Sequence, residues 1–205
     1  MIYGGEDPPQ EVKVNQKELI EGCKRGDEAA RKELYERYSA LMYGLCCRYI
    51  RDRDLARDAL HDGFITLFTR IGDYRGEGSF EGWCRRIFVN TAIGHLRKWN
   101  PLHESESADD HFRLADTSAS AIDKLSAQEL LNCIEELPEG YRTIINLYAV
   151  EGYSYTEAAT MMCITESTAR SQYMRAKARL IEVMAKRGID DNNKEERKRR
   201  KRRKI

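Results

Sequence analysis

The sequence predicts an all-α protein, with two small helical domains joined by a flexible acidic linker and a helix-turn-helix in the C-terminal one. Three observations lead there. No stretch alternates apolar and polar residues over strand length, and the 205 residues hold only four prolines, so helices are favoured. Apolar residues recur at helical spacing in blocks, interrupted after Asn100-Pro101 by a polar segment. From Pro101 to Glu136 nine acids stand against Arg113 and Lys124, a charge block typical of a solvated connector. Finally, Tyr153 to Leu180, YSYTEAATMMCITESTARSQYMRAKARL, reads as two short helices with a break, the pattern that carries a helix into the major groove of DNA.

The totals agree with this. With 34% charged and 41% hydrophobic residues, the chain can fill two small helical cores. It shows neither a signal peptide nor an apolar run of about 18 residues, so we expect a soluble, cytoplasmic protein. Its six cysteines (23, 46, 47, 84, 133 and 163) form no Cys-x-x-Cys pair. Four fall on apolar helical positions, which favours buried thiols in a reducing compartment over a zinc site. The net charge of +1 hides a basic end, where nine bases face Glu195 and Glu196 between Lys194 and Lys204.

The elements follow in order. Residues 1–14 carry Gly4-Gly5 and Pro8-Pro9 and read as a flexible arm. The first domain covers 15–100. A helix is expected from Gln16 to Lys24, and Asp27 caps a long second helix from Glu28 to about Ile50. Its core stripe is Leu34, Tyr35, Tyr38, Met42, Leu45, Cys46 and Tyr49. Asp52 or Asp54 opens a third helix whose buried side is Leu60, Phe64, Leu67, Phe68 and Ile71. Asp58 and Asp62 lie one turn apart on its flank: a carboxylate pair of an enzyme, a solvated face, or an acidic edge for a partner.

The loop IGDYRGEGSF places Tyr74 beside Arg75, an exposed aromatic next to a cation, as in sites that hold single-stranded bases. On these residues alone a plain interhelical loop is the stronger reading, and its spacing is not a phosphate-binding loop. The fourth helix, Ser79 to about Trp99, packs through Phe80, Trp83, Ile87, Val89 and Leu96 and interleaves these with Arg85, Arg86, Asn90, His95, Arg97 and Lys98. Pro101 ends it. The linker is 101–118, and the second domain spans 119–188, with helices from Ala119 to Glu136 and from Tyr141 to Val150 before Gly152.

In the helix-turn-helix, Thr156–Met162 forms the first helix, and Thr165 or Ser167 caps the second. Ala169, Tyr173, Ala176, Leu180 and Val183 make its buried stripe. Ser167, Thr168, Arg170, Ser171, Met174 and Arg175 collect on the opposite side, small polar groups interleaved with arginines. Periodicity alone would serve as well for a plain amphipathic helix; the short first helix and tight turn favour DNA. Residues 189–205 form a basic disordered tail, suited to solubility, to counterion release at phosphates, or to pairing with the acidic linker.

Three blocks in this order, ARDALHDGFITLF, YRGEGSFEGWCRRIFVNTAIGHLR and ELPEGYRTIINLYAVEGYSYTEAATMMCITESTARSQYMRAKARL, resemble a bacterial RNA polymerase sigma factor of the extracytoplasmic-function (ECF) subfamily. The resemblance spans Glu18 to Val183. It implies a chain that binds core RNA polymerase and directs promoter-specific initiation at −35 and −10 elements, assisting strand opening. It assigns Asp58, His61, Asp62 and Phe64 to the clamp helices of the β′ subunit, with Ala59-Leu60-His61-Asp62 where relatives carry Leu-Val-Gln-Glu/Asp. It assigns Tyr74, Arg75, Asn90 and Arg97 to the −10 element, and the outward set of the second helix to the −35 element, with Ala169 in place of the usual valine. Promoter DNA and an anti-sigma factor are the further partners implied. No cofactor, metal, catalytic residue or small-molecule substrate is expected. The alternative, a stand-alone helix-turn-helix regulator, leaves the block from Tyr74 to Lys98 unexplained.

Overall fold

The computed structural model describes residues 15–99 and 127–187, and among these every regular element is helical. The expected arm, linker and basic tail lie outside the described residues, as does the segment 119–126 of the helix expected from Ala119.

The first unit comprises α1 (Gln16–Lys24), α2 (Glu28–Tyr49), α3 (Arg53–Arg70) and α4 (Phe80–Trp99), with a single 3-10 turn at Ile71–Asp73. A short polar side chain satisfies orphan N–H groups at each start. Asp27 accepts from Ala29 and Ala30, Asp52 accepts from Asp54 and Leu55 at 2.9 and 2.8 Å, and Ser79 accepts from Gly82 at 2.9 Å. Leu34, Met42, Leu45, Cys46 and Tyr49 then bury against Leu60, Phe64 and Leu67 of α3 and Cys84, Phe88 and Ile93 of α4. Helices α3 and α4 pack tightly at Gly63, where a Cβ would stand 2.4 Å from two ring atoms of Phe88. One expected core residue differs: Tyr35 is 37% exposed and covers the edge of Phe64 at 4.6 Å. Adjacent helix positions point about 100° apart, so Leu34 takes the centre of the stripe and Tyr35 its margin.

The second unit comprises α5 (Ala127–Glu135), α6 (Glu139–Ile145), α7 (Tyr155–Met162) and α8 (Glu166–Lys186), and a π-helical turn at Asn146–Val150 extends α6. Pro138 separates α5 from α6, as the sequence requires. The core is built from Cys133, Ile134, Leu137, Ile144, Leu147, Ala158, Ala169, Ala176 and Leu180, all buried.

Polar groups join the two units. The last carbonyls of α2 have no partner within their helix. Arg142 Nη2 donates to the Tyr49 carbonyl at 2.9 Å, and Asn146 Nδ2 donates to that of Arg48 at 3.1 Å. Arg51 returns the exchange by donating to the carbonyls of Glu135 and Leu137 at 2.6 and 3.0 Å. Glu151, just past the π-helical turn, takes Arg85 Nε and Nη2 at 3.1 and 2.8 Å and Arg48 at 3.3 Å. Arg142 is 1% exposed. Burial, and secondly the neighbouring Arg51, bring its pKa down to about 10, so it stays charged at neutral pH.

Replacing Gly63 by alanine drives a methyl into the Phe88 ring. The expected loss is about 1–3 kcal/mol, read as a lower urea midpoint with an unchanged slope.

Candidate functional site

Three surfaces carry the residues singled out from the sequence. On α3, Asp58, His61 and Asp62 are exposed on one side. Asp62 is tied to α4, since His95 Nε2 lies 2.8 Å from its carboxylate. Ile65 continues that side one turn on and is 65% exposed. Its signal in the sequence is a β-branched apolar residue standing off the stripe of Leu60, Phe64, Leu67 and Ile71. Phe64 does not belong to this surface. It is 4% exposed, between Tyr35, Phe68 and Phe88, and acts as a core side chain under the acids.

The second surface is the loop before α4 and the helix itself. Gly76 and Gly78 have φ of +82° and +73°, a backbone region that favours glycine, and they fold the loop back toward α1. Tyr74 is not the exposed aromatic expected. Its ring packs on Phe80 and Trp83 at 5.1 and 5.6 Å, and its hydroxyl donates to the Gly78 carbonyl at 2.9 Å. Phe80 opens a helix that must be covered, and the nearest loop aromatic covers it. Arg75 is exposed beside a polar cavity of 670 Å³ lined by Gln16, Lys17, Tyr38, Tyr74, Arg75 and Glu81 among others. Asn90, also exposed, donates to the Arg86 carbonyl at 2.8 Å, and exposed Arg97 reaches the Met161 carbonyl at 3.4 Å.

The third surface is the helix-turn-helix. Ser154 caps α7: its Oγ accepts from the Glu157 N–H at 3.2 Å while Glu157 accepts from the Ser154 N–H at 2.9 Å. First the backbone bond and then the hydroxyl of Ser154 hold the Glu157 carboxyl below the usual carboxylate range. The turn passes through Cys163 in the left-handed region (φ +57°). Thr165, rather than Ser167, caps α8 and accepts from the Thr168 N–H at 3.2 Å. Ser167, Arg170, Ser171 and Met174 are exposed, whereas Thr168 and Arg175 are half-buried. Arg170 is held side-on by Glu166 at 2.7 Å and lies over the Tyr155 ring at 4.9 Å.

The second and third surfaces meet. Ile93, Leu96 and Arg97 of α4 and Met162, Ile164 and Thr168 of the helix-turn-helix line one cavity of 410 Å³. The four buried cysteines fit the expectation of inert thiols: burial pushes Cys46 and Cys84 up to about 12. Among the described residues there is no cluster suited to a metal ion and no helix long and apolar enough to cross a membrane.

Comparison with known proteins places both units. The family model for Sigma-70 region 2 matches residues 34–100, and that for Sigma-70, region 4 matches residues 127–180. The chain is 33% identical over 171 residues to the RNA polymerase sigma-H factor of Pseudomonas aeruginosa, covering 78% of this chain and 89% of the relative. The chain belongs to the extracytoplasmic-function sigma factors of RNA polymerase. The ECF RNA polymerase sigma-E factor of Haemophilus influenzae is 32% identical over 170 residues, with 78% and 89% covered. A solved sigma factor, RpoE of Bartonella quintana in complex with the anti-sigma factor NepR, is 19% identical at a TM-score of 0.46, over 75% of this chain and 96% of that one. In sigma-factor terms α2–α4 are region 2 and α5–α8 are region 4, and a stand-alone regulator is not favoured, because it has no use for region 2.

Ser154→Ala removes the α7 cap of this sigma factor and is expected to lower stability by about 1 kcal/mol in chemical denaturation. The folded Glu157 pKa lies below its ordinary 4.5. Its contribution is therefore present above that value and lost as pH falls through the folded pKa. In Ser154→Ala this acid-side loss should shrink.

Proposed function

We propose that the three surfaces divide the work of a sigma factor among named residues. Asp58, His61 and Asp62, with Ile65 between them and the end of α3, form the face for the polymerase β′ clamp helices. Acids around an exposed apolar residue suit a docking edge with a polar rim. The loop cavity beside Arg75 takes an unstacked base of the −10 element, with the Tyr74 and Tyr38 rings as walls and Asn90 and Arg97 along the duplex. Extruding a base costs a few kcal/mol, offset by stacking and edge hydrogen bonds. Ser167, Thr168, Arg170, Ser171, Met174 and Arg175 face the −35 major groove from the N-terminal half of α8, the part of a recognition helix that meets base edges. Polymerase supplies the chemistry in the cytoplasm, and an anti-sigma factor is a further proposed partner.

The observation that carries this assignment is the presence of both sigma regions in one chain, in order. The two regions work at a distance. At 3.4 Å per base pair, −10 and −35 are separated by roughly 85 Å along B-form DNA, yet Arg97 and Thr168 line one cavity. We therefore take the polar joint at Arg142, Asn146 and Glu151 to be closed in the free protein and opened in the promoter complex, with residues 15–100 and 119–188 as the domains that separate.

Mixing the purified chain with sigma-free core polymerase tests the function directly. Specific transcript starts on genomic DNA are expected, and their absence would refute it. Arg170→Ala and Arg175→Ala are each expected to cost about 1–3 kcal/mol at one −35 position if the arginine reads a base. A phosphate contact would instead weaken all sequences evenly and lower the salt slope by about one. Glu151→Ala leaves Arg85 and Arg48 without their buried carboxylate, so it should loosen the joint and raise promoter affinity of the assembled holoenzyme. Unchanged affinity in a filter-binding series would show that the joint does not restrain binding.

A further inference from the structure

Resting on the assignment of α8 to the −35 element, we propose that Tyr155 and Glu166 are positioning residues that set the presentation of Arg170 to the base it reads. Arginine is a long side chain whose rotamers must be frozen for it to make a bidentate contact. Here two groups from different places in the motif do that before DNA arrives. Glu166 Oε1 accepts from Arg170 Nε at 3.1 Å and from Nη2 at 2.7 Å. Those bonds occupy the side-on edge of the guanidinium. The end-on pair, one N–H each of Nη1 and Nη2, points away from the carboxylate, and it has the fork geometry that matches O6 and N7 of guanine.

Glu166 is itself fixed, because Thr156 Oγ1 of α7 donates to its other oxygen at 2.8 Å. The bonds from Arg170 and then Thr156 keep this carboxyl below its usual range, so it is ionised at neutral pH. The plane of the guanidinium rests on the Tyr155 ring at 4.9 Å, a cation–π contact. That ring cannot swing. It stacks on Tyr148 at 4.1 Å with only 12° between the planes, and Tyr173 closes the trio at 4.7 Å from Tyr148 and 5.8 Å from Tyr155. Tyr148 stands in the π-helical turn and Tyr173 on the buried side of α8, so the packing of region 4 sets the tilt of Arg170. Burial first, then the hydrogen bond with Tyr148, pushes the Tyr155 hydroxyl up to about 12, which keeps that hydroxyl neutral.

A holoenzyme assembled from the full chain and core polymerase, offered promoters with a randomised −35 box, tests this by sequencing the bound pool. Arg170→Ala should erase the preference at one position. Glu166→Ala and Tyr155→Leu should each weaken the preference at that same position by about 3- to 10-fold, the penalty of immobilising one long side chain on binding. Tyr155→Phe keeps the ring and should keep the preference. Thermal midpoints of the variants separate loss of fold from loss of aim, since misfolding lowers binding to every sequence alike. Three results would overturn the inference. One is an unchanged preference in both Glu166→Ala and Tyr155→Leu while Arg170→Ala loses it. A second is an even loss at all positions. The third is tighter binding by Glu166→Ala at unchanged preference, which would make the carboxylate a competitor. If Arg170→Ala itself leaves the pool unchanged, the −35 assignment of this arginine fails and the inference falls with it.

Discussion

A charged guanidinium sits at the centre of this protein, 1% exposed, and no carboxylate lies within ion-pair distance of it among the described residues. Burying an unpaired charge is normally prohibitive. Arg142 is tolerated because it faces the C-terminal end of α2, where unsatisfied carbonyls sum to about half a negative charge. Tyr49 and Leu137 carbonyls are its acceptors. The bond to Tyr49 thereby solves two problems: an orphan carbonyl of α2 gains a donor, and α6 keeps its arginine. Glu151 adds a carboxylate, 5% exposed, between Arg48 and Arg85. The join of region 2 to region 4 therefore sets directional polar contacts beside the apolar side chains of Ile93, Leu96, Met162 and Ile164.

Such a joint differs from a hydrophobic interface in what happens when it opens. Water can replace each of its hydrogen-bond partners, so the polar part of the joint opens without leaving donors or acceptors unpaired. Some of its atoms find no protein partner among the described residues even when closed: the Tyr49 hydroxyl, Arg142 Nε and Asn146 Oδ1. Each buried unsatisfied group costs about 1–3 kcal/mol. A two-state element poised in this way can be shifted by a partner that prefers one state by a few kcal/mol, as promoter-bound polymerase would through two sites held roughly 85 Å apart.

Most of the helices were legible in the sequence, because caps and stripes are local. Asp27 caps the helix it is expected to cap, and of the paired candidates Asp52 and Thr165 are the caps rather than Asp54 and Ser167. The S-x-x-E of Ser154–Glu157 is a capping box in plain sight, and it moves the start of α7 to Tyr155, one residue before the expected Thr156. Expectation and structure part where a residue's family role competes with its place in the packing. Phe64 stands on the buried stripe of α3, and that placement outweighs the motif it belongs to. Tyr74 follows the same logic, since Phe80 and Trp83 need a cover and it is the ring at hand. The joint was illegible for a different reason. Arg142, Asn146 and Glu151 are polar, their partners lie 93, 98 and 66 residues away, and polar residues read locally look like solvated surface. The platform under Arg170 was hidden likewise, because Tyr148, Tyr155 and Tyr173 share no periodicity.

The most direct test is the separation of the two regions in solution. Dyes on exposed Leu41 of α2 and exposed Lys186 of α8 report it by energy transfer, in the free chain and in the promoter-bound holoenzyme. A single short distance that lengthens on assembly is predicted. A long, broad distribution in the free chain, unchanged by polymerase and DNA, would contradict a closed joint held by Arg142 and Glu151.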